Sequence, residues 1–312
     1  MIVSAAVVVC PRRVAVLPAA AVPALRTADA VLAAPELDEG TARAAGAAPW
    51  DGTDPAALPD RTVLLVPAGH PAAAGPGALP PPTGSALLDA VAVMDRLRSP
   101  GGCPWDAEQT HESLLRYLVE ECYELYQAIE DADRDELREE LGDVLLQVLF
   151  HARVAAECPD TPFGIDEVAT GLVDKLVGRH PHVFAQGERV RTAADQDRRW
   201  DELKRAEKQR DSSVDGVATG QPAVALAAKL ASRTAKAGLP ADLLPAGEEP
   251  GETLFRLAAA AQLDGGDPEA ALRAVARAFD ARVRSAEKAA AADGKDPHTL
   301  TPEDWRHYWP VP

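Results

Sequence analysis

The chain has 312 residues, enough for about two domains, and its 46% hydrophobic and 26% charged content fits a folded, soluble protein. Aromatic residues make up only 4% and alanine is abundant, which favours helices over a β-sandwich. With 32 Lys+Arg against 49 Asp+Glu the formal charge is −17, which excludes the basic field of a nucleic-acid binder; a polyphosphate would be repelled unless metal ions or a local basic patch reversed the sign. The four cysteines, Cys10, Cys103, Cys122 and Cys158, form no CxxC pair, and a reducing cytoplasm is expected. Residues 2–10 are apolar but short and follow no basic residue, so they do not read as a signal peptide. No run reaches the roughly 18 apolar residues of a membrane span.

Residues 1–84 hold nearly half of the 27 prolines and no lysine. Short strand-like runs such as Arg61–Val66 (RTVLLV) point to a small α/β unit or to a partly disordered arm, and Pro71–Thr83 reads as a linker. From Gly84 onward the pattern is all-α. Helices are expected from Ser85 to about Arg98, Thr110 to Asp131, Asp133 to Glu157, Asp166 to Arg179 and Thr192 to Arg210, each opened by a capping residue. Three more should cover Pro222–Ala237, Thr253–Leu263 and Pro268–Ala292.

The second of these helices carries Leu115, Leu118, Cys122, Leu125 and Ile129 at 3,4 spacing, which predicts a buried stripe. Glu121 falls about 60° from Leu118, so it and Glu124 sit on the stripe's shoulder, with Glu120 further round. The third helix repeats the arrangement: Leu137, Leu141, Val144, Leu145 and Val148 form the stripe, and Glu140, Asp143 and Gln147 flank it. A turn near residues 130–133 makes the two helices antiparallel neighbours, so EExxE faces ExxD. Two such charges about 5 Å apart repel by roughly 3 kcal/mol at an effective dielectric near 20. Protons or a divalent cation must relieve that repulsion, unless both acidic faces are simply solvated. An all-oxygen cage suits Mg²⁺ or Mn²⁺. A di-iron bundle would need two ExxH motifs, and only Glu108–His111 matches, at a helix start.

The series GGCPWDAEQTHESLLRYLVEECYELYQAI from Gly101, LREELGDVLLQVLFHA, RHPHVF at Arg179–Phe184 and WDELKRAEK at Trp200–Lys208 closely resembles MazG-type nucleoside triphosphate pyrophosphohydrolases across about residues 85–210. The resemblance implies an all-α NTP pyrophosphatase fold, assembled as a homodimer or higher oligomer. It also implies Mg²⁺-dependent hydrolysis of NTPs or dNTPs to nucleoside monophosphate and pyrophosphate. By the same resemblance Glu121, Glu124, Glu140 and Asp143 hold the metal, and Glu120 is an accompanying acid that assists a ligand or orients water. Lys175, Arg179, Trp200 and Lys204 fall in the nucleotide-binding regions; cations beside an aromatic ring suit a triphosphate with a stacked base. Trp105 and His180-Pro181-His182 also belong to the pattern and read as packing and loop residues.

Residues 248–283 look like a weak second copy, with Glu249 and Glu252 matching Glu140 and Asp143 and Arg282 matching Arg179. Its EExxE helix is missing, because Ala237–Gly247 is short and broken by prolines, so this copy is expected to be structural. Arg61–Pro71 resembles a strand–loop of tetrapyrrole methylases, without a complete set of residues for S-adenosylmethionine. The organisation expected is an extension at 1–84, a catalytic helical domain at 85–212 and a degenerate copy at 213–312. The competing readings are a helical dimerisation or partner-binding module that keeps the acids as a relic, and a pyrophosphohydrolase restricted to one nucleotide. Neither nucleic acid nor a membrane is expected as a partner under any of these readings.

Overall fold

Residues 6–14, 16–75, 77–184, 192 and 211–310 are described by a computed structural model, in which the chain divides into two units, 1–187 and 188–312. The first unit opens with an all-parallel sheet in the order β1–β4–β2–β3, built from β1 (Ala6–Cys10), β2 (Ala30–Ala33), β3 (Ala48–Pro49) and β4 (Thr62–Pro67). β4 is buried along its whole length, which is why TVLLVP is a continuous apolar run instead of an alternating one. Leu25 of α1 (Val22–Thr27) and Ala42 of α2 (Glu39–Ala44) pack on the face that carries Val8, Val63 and Leu65. Trp50, Leu58 and Ala72 cover the opposite face. Residues 1–84 thus contain the small α/β unit.

The expected linker at 71–83 is partly tied down. Leu79 accepts from the Val9 amide at 2.9 Å and donates to the Val7 carbonyl at 2.8 Å, so it extends the sheet beside β1. One paired residue needs no run of β-formers, and Pro/Gly composition therefore hid it. α3 (Ser85–Arg98) follows Gly84, whose φ of 89° is the left-handed region glycine tolerates. The Asp89 carboxylate on α3 accepts from the backbone amides of Arg12 and Arg13, at 2.8 and 2.7 Å, and ties the helix to the loop after β1.

Then come α4 (Pro104–Glu108), α5 (His111–Asp131), α6 (Arg134–Ala155), α7 (Ile165–Arg179) and α8 (Pro181–Phe184). Thr110 and Ser113 cap α5 reciprocally. The chain reverses through Ala132 at φ 54°, and Asp133 caps α6 by accepting from the amides of Asp135 and Glu136. α5 and α6 lie antiparallel, with His111 Nδ1 and His151 Nδ1 2.8 Å apart at the ends remote from the turn. Met94, Leu114, Leu149 and Phe150 form the core that joins α3 to this hairpin.

The stripes are rotated from their expected positions. Leu115 is 56% exposed and Ile129 60%, and Cys122, Leu141 and Val148 are exposed as well. The inner face of α5 instead carries Leu114, Leu118, Glu121, Leu125 and Ala128, and that of α6 carries Glu140, Asp143, Val144 and Gln147. α5 has two apolar faces, and the 3,4 pattern straddled them: Leu118 and Leu125 belong to the inner face, Leu115, Cys122 and Ile129 to the outer one. Glu121, Glu140 and Asp143 therefore sit on the inner face itself, whereas Glu124 is exposed, on the shoulder where it was expected.

In the second unit α9 (Ala223–Lys236), α10 (Pro250–Leu263) and α11 (Pro268–Ala292) meet through alanines: Ala227, Ala228, Ala231, Ala258, Ala259, Ala286 and Ala290 are all buried. α10 starts at Pro250, three residues before the expected Thr253, because proline is tolerated in a first turn where its missing amide is not needed. Only a single turn, Ala241–Leu243, occupies the stretch before it. α12 (Pro302–Tyr308) closes the unit, with Trp309 against Phe279 at 5.9 Å between ring centres. No described helix is long and apolar enough to cross a membrane.

Candidate metal centre

The capped α5–α6 hairpin sets the height at which opposing side chains meet. Glu121, on the inner face of α5, meets Glu140 and Asp143, one turn apart on α6. Each offers a carboxylate oxygen, and these oxygens lie within 4.8 Å of one another. Among the described residues no other group of three potential metal ligands comes so close together.

All three side chains are half-buried, and one oxygen of Glu140, Oε2, is buried without a hydrogen-bond partner. Burial, then the charges of Asp143 and Glu124, push the Glu121 carboxyl above its ordinary value. Burial, then Glu124 and Asp143, do the same to Glu140. Glu124 is thus electrostatically in touch with both, as a fourth acid at the rim. Glu120 is exposed and contributes to neither shift. Lone carboxylates that raise one another's pKa are short of positive charge, and an all-oxygen donor set with an unused lone pair fits a hard divalent cation.

Lys175 is exposed on α7 and Arg179 ends the same helix half-buried, so the expected pair does lie one turn apart. Trp200 and Lys204, with the helix expected from Thr192 to Arg210, fall outside the described residues apart from Thr192 itself. Glu249 is the residue before α10 and Glu252 lies in its first turn; neither belongs to a close group of three.

The GGCPWD segment supports the hairpin from one end. A side chain at Gly102 would lie 2.2 Å from the Leu97 carbonyl oxygen, so only glycine fits this turn. Trp105 is half exposed and sets its ring edge-on to Tyr117 and Phe150, at 6.1 and 6.4 Å between centres. Sequence reasoning missed Arg98. Its buried guanidinium pairs with Glu157 at 2.7 Å, bonds the Asp106 and Gln109 carbonyls and lies over Phe150. That pair holds the Glu157 carboxyl below its usual range and fastens α3 and the CPWD turn to the end of α6. Glu157 is 59 residues away in sequence, so no local signal announces the contact. His180 closes α7, with Nδ1 2.6 Å from the Leu176 carbonyl, and its ring lies 5.6 Å from that of His182.

The MazG nucleotide pyrophosphohydrolase domain matches residues 109–184, the segment from the start of α5 to α8. A nucleoside triphosphate pyrophosphohydrolase of Mycolicibacterium smegmatis is 48% identical over 244 residues, covering 74% of this chain and 71% of that protein. The nucleoside triphosphate pyrophosphohydrolase of Mycobacterium tuberculosis is 44% identical over 239 residues, covering 73% and 70%. The nucleoside triphosphate pyrophosphohydrolase/pyrophosphatase MazG of Thermotoga maritima is 35% identical over 242 residues, covering 70% of this chain and 92% of that protein.

Proposed function

The chain belongs to the MazG nucleotide pyrophosphohydrolase family, and we propose that it hydrolyses nucleoside triphosphates to nucleoside monophosphate and pyrophosphate with Mg²⁺, or Mn²⁺ in its place. The observation that carries the reading is the convergence of Glu121, Glu140 and Asp143 from two antiparallel helices onto one point. These three hold the cation, with Glu124 beside them. A divalent ion there neutralises triphosphate charge and makes a bound water more acidic.

The remaining work falls to the chain's own groups. Water attacks the α-phosphorus, the bond to the bridging oxygen breaks, and pyrophosphate leaves with the electron pair. Glu124, rim-placed and uncommitted to the close group of three, accepts the water's proton, and Glu120 is the accompanying acid on the solvent side. Lys175 and Arg179 on α7 hold phosphates, and Trp200 and Lys204 take the base and phosphate ends of the same nucleotide. Residues 85–212 are the catalytic domain, 1–84 an extension and 213–312 a structural second copy. Four unbridged cysteines fit a cytoplasmic enzyme that cleans the nucleotide pool or acts in stress.

We place a second copy of the chain on the outer face of the hairpin. Leu115, Val119, Cys122, Tyr126 and Ile129 form an exposed 4,3,4,3 stripe along α5, continued by Leu141 and Val148 on α6. A monomer rarely exposes so continuous an apolar surface.

The test is incubation of the full chain with Mg²⁺ and a panel of NTPs and dNTPs, with pyrophosphate and orthophosphate assayed separately. Pyrophosphate in step with monophosphate is expected, and Glu124→Gln should abolish it with the helical circular dichroism unchanged. Orthophosphate alone would mean a different bond is cut. No product with either ion would leave a helical binding module.

A further inference from the structure

The acids do not account for every polar group on the inner face of the hairpin. Gln147 is only 4% exposed, and its amide oxygen Oε1 is buried with no hydrogen-bond partner. Buried side-chain acceptors are almost always satisfied in folded proteins, so an orphan of this kind marks a missing donor.

Its place in the fold narrows where the donor must come from. Gln147 lies one turn beyond Asp143 and two beyond Glu140 on the same face of α6, about 6 Å along the axis from Asp143. On its other side lie the apolar Leu114, Leu149 and Phe150 and, one turn beyond Gln147, His151, which pairs with His111 through Nδ1 and whose Nε2 is also buried without a partner. The amide oxygen therefore sits between the acid cage on one side and the His151 ring, one turn on, at the other.

A second orphan makes the argument sharper. Glu140 Oε2 is also buried and unpartnered. Both orphans are lone-pair acceptors, so they cannot satisfy one another. A cation with its coordinated water satisfies both at once: the ion takes the carboxylate oxygen, and a water O–H takes the amide oxygen. A neutral amide suits this place, because another acid would add repulsion to a crowded site.

We infer that Gln147 is a positioning residue for the hydrated cation, its amide oxygen accepting a hydrogen bond from an ion-bound water at the floor of the acid cage. The inference rests on the cation reading of Glu121, Glu140 and Asp143. It makes Gln147 the group that fixes the ion's hydration, in the way outer-shell partners usually fix metal ligands.

The experiment measures Mn²⁺ binding to the full chain without nucleotide, by the loss of the free-ion electron paramagnetic resonance signal, in wild type, Gln147→Leu and Gln147→Met. Both substitutions keep the volume and remove the acceptor. The expected result is a Kd for Mn²⁺ raised about 10–100-fold, with the metal-free melting temperature unchanged or higher because an orphan has gone. A structural amide predicts the reverse, a lower metal-free melting temperature with unchanged Mn²⁺ affinity, and that result overturns the inference. Unchanged Mn²⁺ affinity with a raised KM for nucleotide also overturns it and assigns the amide to the substrate. If wild type itself binds no Mn²⁺, the cation reading falls together with this one. Should Gln147→Leu fail to fold, Gln147→Met gives the same reading with a more adaptable side chain.

Discussion

Replacing Glu121 by glutamine keeps the shape of the side chain and removes one of the three converging carboxylates. Two opposite effects follow from that one change. In metal-free protein the variant should be as stable as wild type or more so, because Glu121 faces Asp143, Glu124 and Glu140 with nothing positive among them. In Mg²⁺ the order should reverse. At an ion concentration 100 times Kd, site binding stabilises the wild-type fold by about 2.7 kcal/mol. For a unit of this size each kcal/mol moves the melting temperature by about 2–4 °C, so the ion should raise it by about 5–10 °C.

Loss of a direct ligand should weaken binding at least about 100-fold, since outer-shell partners alone are worth about 10–100-fold. At the same ion concentration the variant is then only half saturated, its gain is about 0.4 kcal/mol, and its melting temperature rises by about 1 °C. Calorimetric scans of both proteins, in chelator and in Mg²⁺, read all four values. Equal metal-induced shifts in the two proteins would refute the metal centre. A large drop in the variant's metal-free melting temperature would refute the claim that the acids repel one another.

The same acids fix a pH dependence. The folded-state pKa of Glu121 lies above its ordinary 4.5, so the protonated group favours the fold, and its contribution is lost as pH rises through the raised value. The metal-free advantage of Glu121→Gln should therefore be largest near pH 8 and vanish as pH falls toward about 4.5; an advantage independent of pH would contradict it. Ala132 turns the chain at φ 54°, where a β-carbon is strained, so Ala132→Gly should stabilise the protein by about 1 kcal/mol in urea titration. A loss of stability there would mean the extra freedom of glycine in the unfolded chain outweighs the relief. Leu115→Lys with Ile129→Lys should convert an oligomer to monomer in sedimentation velocity without loss of helical signal; wild type that already sediments as a monomer would remove the second copy from the outer face.

What the sequence made legible was whatever is decided within a turn or two of chain. Thr110, Asp133 and Asp267 were readable as helix starts because a cap bonds amides two or three residues away. Glu121, Glu140 and Asp143 were readable as partners because two helices joined by a two-residue turn have little choice of register. Which apolar set of α5 packs against α6 was not readable. α5 carries Leu114, Leu118, Leu125 and Ala128 toward α6 and Leu115, Val119, Cys122 and Ile129 away from it, and both sets repeat at helical spacing. Periodicity reports that a face is apolar; it does not report whether the chain itself or a second copy covers it. Arg98 was invisible for a related reason, since its partners Asp106, Gln109 and Glu157 come together only after α3, α4 and α6 have packed. The inward turn of the acids matters for the chemistry. On a shoulder they would be solvated and need no counter-charge, whereas on the buried face, beside an unsatisfied Gln147, they make a site that calls for a cation.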